Sequence, residues 1–415
     1  MSMSSKYSLH KKNVLKEIYE KGKISRKKLH EFLDLRFATI TEIVKELKKE
    51  GIIKEVEKEK NQKSGRPCSL LSIIPDSRFF IGCELAPYNI ISVILDFNGN
   101  IVEKAKLDIN LEDDKEKLQK DIIKVLSNLI KKVEKNKIYG IGFVDPGIVD
   151  IENGISLFSS IIPQWKEVHI KKYLEEELSI KVFVIGSSQA KVLSEKFFGK
   201  GKKCKNFIFI EYGDGISCGI ISDGRVIHGI GGVAGEFGHI KIVGRDEICK
   251  CGKKGCLESI ASVPNILNNI KAKTGKMLDI YLVLEKYKSG EPEIKKIIDE
   301  IFEIFAVSIG NLINLFNPEM IIFDKNFLIF KDFFDLIFGK IKANMVYNYP
   351  IKIEISNFGE EIGAIGGACL SMRHRANAEE VFLHRFTHLP LYDFKKEDLK
   401  YMADSIIEII EEMQK

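Results

Sequence analysis

Along residues 8–21 the apolar positions Leu9, Val14, Leu15, Ile18 and Tyr19 recur at helical spacing, and Gly22 ends the run. Ser25 stands where an N-cap belongs, ahead of a short predicted helix that turns Leu29, Phe32 and Leu33 inward. A tight turn through Asp34 and Leu35 leads to a third helix, with Ile40, Ile43, Val44 and Leu47 on its inner face and Gly51 at its end. Three short helices, the last two joined by a tight turn, predict a helix-turn-helix. The stretch GIIKEVEKEKNQKSGRPCSLLSII then reads as two strands around a charged, glycine-containing loop, which makes the unit winged.

From Phe79 the period changes. FFIGCEL and IISVILDF are strand-like, FNGN is a turn, IVEKAKLDI is a third strand, and residues 113–135 are an amphipathic helix. NFIFIEY, ISCGIISD, an Asp223-Gly224 turn and RVIHG repeat that order later in the chain. Two copies predict a duplicated α/β architecture, two lobes around a cleft, of the actin-like ATPase (ribonuclease-H-like) class. Between the copies, Pro146-Gly147 turns the chain after a buried strand, and Trp165 precedes another helix. Helical patterns cover 263–289 and 293–316, and Asn317-Pro318 breaks the second before a strand. In EEIGAIGGACLSM, Gly366 and Gly367 read as permitting close helix packing rather than binding a ligand. The resulting division is a DNA-binding winged head at 1–63, a linker at 64–78, a two-lobed domain at 79–375 and a helical extension at 376–415, to which no function is assigned.

Composition changes this picture in two ways. A chain of 415 residues exceeds one core, and it lacks both an apolar run approaching ~20 residues and an apolar core in MSMSSKYSLHKKN, so a cytoplasmic protein with reduced cysteines and no membrane partner is expected. Its net charge of +5 is uneven. Residues 1–67 hold 18 Lys and Arg against 10 Asp and Glu, whereas the other 348 hold 46 against 49. Only the head suits a polyanion. On its third helix Arg36, Thr39 and Thr41 are candidates for base edges and Lys45 and Lys48 for phosphate. Arg66, in Gly65-Arg66-Pro67, suits a minor-groove hook or an ordinary linker turn.

The candidate chemistry lies in GIGGVAGEFGHIKIVGRDEICKCGKKGCLESIAS, residues 229–262. His239, Cys249, Cys251 and Cys256 offer one imidazole and three thiolates, a closed tetrahedral set suited to a structural Zn²⁺. Glu236 and Glu258 flank them as fixed acceptors for a polyol, or else as solvated surface carboxylates. The segment resembles the signature of the ROK family (repressors, open reading frames and kinases), whose GEhGHh…CxCGxxGChE stands here as GEFGHI…CKCGKKGCLE. The resemblance implies the two-lobed fold, sugar contacts by Glu236, His239 and Glu258, a zinc on His239, homodimers or homotetramers, and, with the winged head and its GRP, a repressor of carbohydrate-utilisation genes acting on double-stranded DNA.

The departures from the family pattern are informative. The asparagine that precedes the family's tryptophan by four residues is Ile161. The family's NDANAxxxxE is GSSQAKVLSE, so Ser187 replaces the carboxylate that would take the acceptor hydroxyl's proton. The two phosphate loops, DxGxT and GTGIG, are Glu84-Leu85-Ala86-Pro87-Tyr88 and Gly213-Asp214-Gly215-Ile216-Ser217. Three losses point away from catalysis and toward a sensor. An ATP-dependent sugar kinase with an appended head and an effector-independent DNA binder with a vestigial cleft are the alternatives.

Overall fold

A computed structural model of the protein describes residues 3–58, 69–347 and 349–374. The head consists of α1 (Met3–Lys21), β1 (Ile24–Ser25), α2 (Arg26–Leu33), α3 (Phe37–Lys49), β2 (Ile53–Lys58) and β3 (Ser69–Ile73). Ser25 caps α2 by accepting from Lys28 N at 3.3 Å, and Asp34, in the left-handed region at φ 50°, makes the turn into α3. Val14, Leu15, Ile18, Leu29, Ile40, Ile43, Val44 and Leu47 are buried together. Phe32 is not, being 60% exposed with Lys21 over its ring. Its ring stays largely in solvent against the Lys21 ammonium at the end of α1, so its expected inward place is corrected. The wing sheet has the order β1-β3-β2 and continues into β3, within the stretch read as linker. The wing tip, with Gly65-Arg66-Pro67, lies outside the described residues, as does the 376–415 extension.

The first lobe comprises β4 (Phe79–Leu85), β5 (Asn89–Asp96), β6 (Ile101–Asp108), α4 (Lys115–Ile130), β7 (Ile138–Asp145), β8 (Ile148–Asp150), β9 (Ile155–Phe158), α5 (Ile170–Leu178), β10 (Val182–Gly186) and α6 (Ser187–Phe197). The second comprises β11 (Phe207–Tyr212), β12 (Ile216–Ser222), β13 (Arg225–Val226), α7 (Leu257–Ala261), α8 (Val263–Thr274), α9 (Ile280–Lys288), α10 (Pro292–Phe316), β14 (Met320–Phe323), α11 (Phe334–Ala343) and β15 (Lys352–Ile355), with α12 (Ile362–His374) returning to the first. Their sheets run β10-β7-β4-β5-β6 and β13-β12-β11-β14-β15. In each, the first three strands of the lobe form an antiparallel meander and the last two join in parallel. This shared topology is the duplication read from the strand patterns. The 263–289 pattern, expected as one helix, is two, because Gly275 takes φ 71° at the C-cap of α8 and the chain restarts at the Asp279 cap of α9.

Helix α12 sits directly on the first sheet. A Cβ at Gly142 of β7 would lie 1.8 Å from Gly367 O, and one at Gly366 would lie 1.9 Å from Ala190 O of α6. These glycines therefore serve backbone-to-backbone packing, as expected. The head joins the same lobe: its core is continuous with that of β4 and β5, and the Tyr19 ring meets Phe97 edge-on at 6.3 Å.

Candidate functional site

The metal-ligand candidates are assembled by a tight knuckle between β13 and α7. Isolated bridges pair Lys241 with Cys256 and Ile248 with Lys254, Cys249 N donates to Lys253 O at 2.8 Å, and Gly252 N to Cys249 O at 2.8 Å. The turns require left-handed backbone at Gly252 and Gly255 (φ 82° and 67°). In consequence the ligand atoms of His239, Cys249, Cys251 and Cys256 all lie within 4.8 Å of one another. Cys249 Sγ is 3.7 Å from His239 Nδ1, and Cys251 Sγ is 3.8 Å from Cys256 Sγ. Lys241 Nζ lies 3.1 Å from Cys256 Sγ, where it offsets thiolate charge. Burial works against a Cys251 thiolate, but the Lys253 N–H, the two neighbouring cysteines and Lys241 together hold its pKa below the ordinary value. The four groups can hold a metal ion, and their sulfur-rich donor set fits a soft or borderline one.

The same knuckle orients the carboxylates. His239 turns Nδ1 toward the thiols and Nε2 toward Glu236, whose Oε2 is 3.6 Å away. Glu258, in the first turn of α7, accepts from Ile216 N at 3.1 Å through Oε2 and places Oε1 3.8 Å from Cys249 Sγ. Glu236 and Glu258 are thus brought beside the metal-ligand candidates, one against His239 and the other against Cys249. The loop leading to them is held by a residue the sequence reading passed over. Gln189 of α6, 2% exposed, donates to Gly232 O at 2.9 Å, and its Oε1 lies 2.7 Å from His228 Nδ1. Its signal was available, since Gln189 stands at the second asparagine of the family's NDANA.

Across the cleft, β7 ends in Asp145, fully buried, which accepts from Gly147 N at 2.9 Å, Ser156 Oγ at 3.0 Å and Trp165 Nε1 at 2.9 Å. Burial pushes its pKa up to about 6 despite these donors. Ile161 is a half-buried member of the first-lobe core and offers no polar group to a ligand. Ser187 opens α6, and its hydroxyl donates to Glu84 Oε1 at 3.3 Å.

On the head, Arg36, Thr41, Lys45 and Lys48 are exposed, and Thr39 is half-buried. Thr41 Oγ1 donates to Phe37 O at 2.9 Å, and Lys48 pairs with Glu55 of the wing at 2.9 Å, so both begin with partners inside the head. Phe37, which the sequence reading did not single out, is 52% exposed at the start of α3. Its ring meets His30 edge-on at 6.4 Å, and His30 Nδ1 lies 2.6 Å from Leu35 O. Among the described residues no helix is long and apolar enough to cross a membrane.

Comparison with known proteins agrees with this anatomy. A MarR family model matches residues 10–64 and the ROK family model matches residues 81–374. The xylose repressor of Caldicellulosiruptor bescii is 30% identical over 383 residues, covering 88% of this chain and 95% of that protein. A glucokinase of Halalkalibacterium halodurans is 27% identical over 326 residues, covering 73% and 98%. Among solved structures, a ROK family transcriptional regulator described as a homolog of the E. coli Mlc protein superposes with TM-score 0.74 at 25% identity, covering 92% of this chain and 98% of that one. With its signature knuckle intact and the family model spanning more than two thirds of its length, the chain belongs to the ROK family.

Proposed function

We propose that the chain is a sugar-responsive transcriptional repressor: the winged head binds an operator, and the two-lobed domain is a sensor that phosphorylates nothing. The observation that carries this reading is the pairing, in one chain, of a winged helix-turn-helix with a ROK cleft whose acceptor-activating position is Ser187, bonded to Glu84. A serine hydroxyl has no basicity with which to take a sugar proton. Glu236, His239 and Glu258 are the proposed effector contacts, and a Zn²⁺ on His239, Cys249, Cys251 and Cys256 supports them as a structural ion.

On the head, Arg36, Phe37, Thr39 and Thr41 face base edges, Phe37 suiting a thymine methyl, while Lys45 and Lys48 face phosphate and Arg66 a minor groove. As a homodimer or homotetramer the protein would meet two half-sites about 10 bp apart, or a multiple of that. The Tyr19–Phe97 contact, with Tyr19 Oη donating to Asn98 O at 3.4 Å, supports a mechanical route from the first lobe to the head.

The test is a mobility shift with DNA from upstream of the protein's own gene, run with xylose, glucose and N-acetylglucosamine. We expect binding that weakens steeply with salt and at least a fivefold change in affinity with one sugar. Affinity indifferent to every sugar would favour the vestigial-cleft alternative, and sugar-dependent ADP release from ATP would favour the kinase.

A further inference from the structure

We propose that Lys191 is a built-in cation that closes the nucleotide half of the cleft, its ammonium tying together the two segments that stand at the family's phosphate loops. Lys191 projects from α6 between the two sheets, its side chain 14% exposed. Its Nζ is 3.6 Å from Glu84 Oε1, at the end of β4 in the first lobe, and it pairs more closely with Glu211 Oε1, on β11 in the second. Ser217, in the second phosphate loop, donates to Glu211 Oε2 at 3.1 Å. Asp324, just beyond β14, completes the cluster. Its Oδ2 accepts from Tyr212 N at 3.2 Å and Asn326 Nδ2 at 3.3 Å, whereas its buried Oδ1 has no hydrogen-bond partner. Burial, with the charge of Glu211 added, pushes Asp324 up to about 7.

Two carboxylates, one from each lobe, therefore pair with one tethered charge, and the charge of a third, Asp324, is felt there as well. Removing the ammonium would leave buried acids that must take up protons or another cation. Glu84 is fixed from behind as well: a Cβ at Gly363, in the first turn of α12, would lie 2.1 Å from Glu84 Oε2, so the carboxylate nests against that helix N-terminus. The Tyr88 hydroxyl, on the first of the two loops, lies close enough to Asp214 on the second for that carboxylate's charge to raise its pKa. A nucleotide would need to displace an ammonium and bring its own negative charge beside Asp214. The two lobes are thus tied together at Lys191 without a ligand.

The test uses the full-length protein and thermal unfolding followed by circular dichroism, with and without added MgCl₂ or MnCl₂. Lys191→Ala is expected to melt roughly 10 °C lower, the loss scaled from that of breaking a buried ion pair, and a divalent cation should recover at least half of it. Wild type should ignore the cation and show no shift with Mg·ATP, and adding Glu211→Gln to Lys191→Ala should abolish the cation response. A Lys191→Ala protein that melts within about 2 °C of wild type, or that melts low and ignores the cation, overturns the proposal, as does a Mg·ATP shift in wild type. Should Lys191→Ala fail to accumulate, Lys191→Arg keeps the charge and should melt within about 3 °C of wild type, and a loss near 10 °C overturns the proposal instead. Neither readout depends on DNA or sugar, so the result stands apart from the repressor assignment.

Discussion

Trp165 is the chain's single tryptophan, fully buried, and its indole N–H bonds Asp145 Oδ2 at 2.9 Å. Asp145 has an ordinary value near 3.8 that burial raises to about 6 in the folded protein. The native state therefore binds the proton more tightly than the unfolded chain. The stability this contributes is fully present below 3.8 and is lost as pH rises through 6. Two pKa units correspond to about 3 kcal/mol, the cost of carrying this carboxylate ionised at neutral pH.

Trp165→Phe keeps most of the ring and removes the donor. A hydrogen bond to a charged group contributes about 1.5–3 kcal/mol, and this contribution applies only where Asp145 is ionised. The smaller ring adds a packing loss of about 1 kcal/mol at any pH. The expected destabilisation is therefore about 1 kcal/mol at pH 5 and about 3 kcal/mol at pH 8, with Asp145 titrating one to two units higher in the variant. Urea midpoints from far-ultraviolet circular dichroism at the two pH values measure it, since the variant has no tryptophan to fluoresce. Other titrating groups cancel between variant and wild type. Equal losses at both pH values, within about 0.5 kcal/mol, would falsify the claim that the indole stabilises the ionised form.

The other expectations concern the metal knuckle, the α12 interface and the head. Metal analysis of the purified protein should find about one Zn²⁺ per chain; Cys251→Ser should lower both that content and the melting temperature, because binding at a structural site contributes to folding free energy. Gly142→Ala would place a Cβ 1.8 Å from Gly367 O, so α12 must move or the strand must bend; the expected loss is about 3 kcal/mol, and a loss below about 1 kcal/mol in urea unfolding would show that the interface yields easily. Lys45→Ala should weaken binding to all duplex sequences alike and reduce the slope of log affinity against log salt by about 1, whereas Arg36→Ala should relax preference at one base position.

What could be read in the sequence depended on how far apart the cooperating residues lie. The knuckle was legible because its three cysteines fall within eight positions, so local turn geometry alone brings them together. The helical stripes of α1 and α3 were legible for the same reason, since periodicity reports a helix's own inner face. Periodicity does not report how far the partner surface extends, and Phe32 and Phe37, at the margins of their stripes, are exposed. The Lys191 cluster draws on positions 84, 191, 211 and 324, each ordinary in its own context; only the duplicated sheets, which point equivalent strand ends into one cleft, make them neighbours.

The knuckle keeps the family pattern while the phosphate segments depart from it, and the same geometry bears on that difference. A structural metal site is a local device, and removing one ligand leaves the others without a shared ion, so it tolerates little change. The phosphate side is assembled from distant segments and is needed only where phosphoryl transfer is selected. On the proposed reading, with Ser187 at the position of the base, the cleft has no phosphoryl group to admit, and Lys191 is free to tie Glu84 to Glu211. The Glu236–His239–Glu258 group is held by the same knuckle that fixes α7 and the loop after β13.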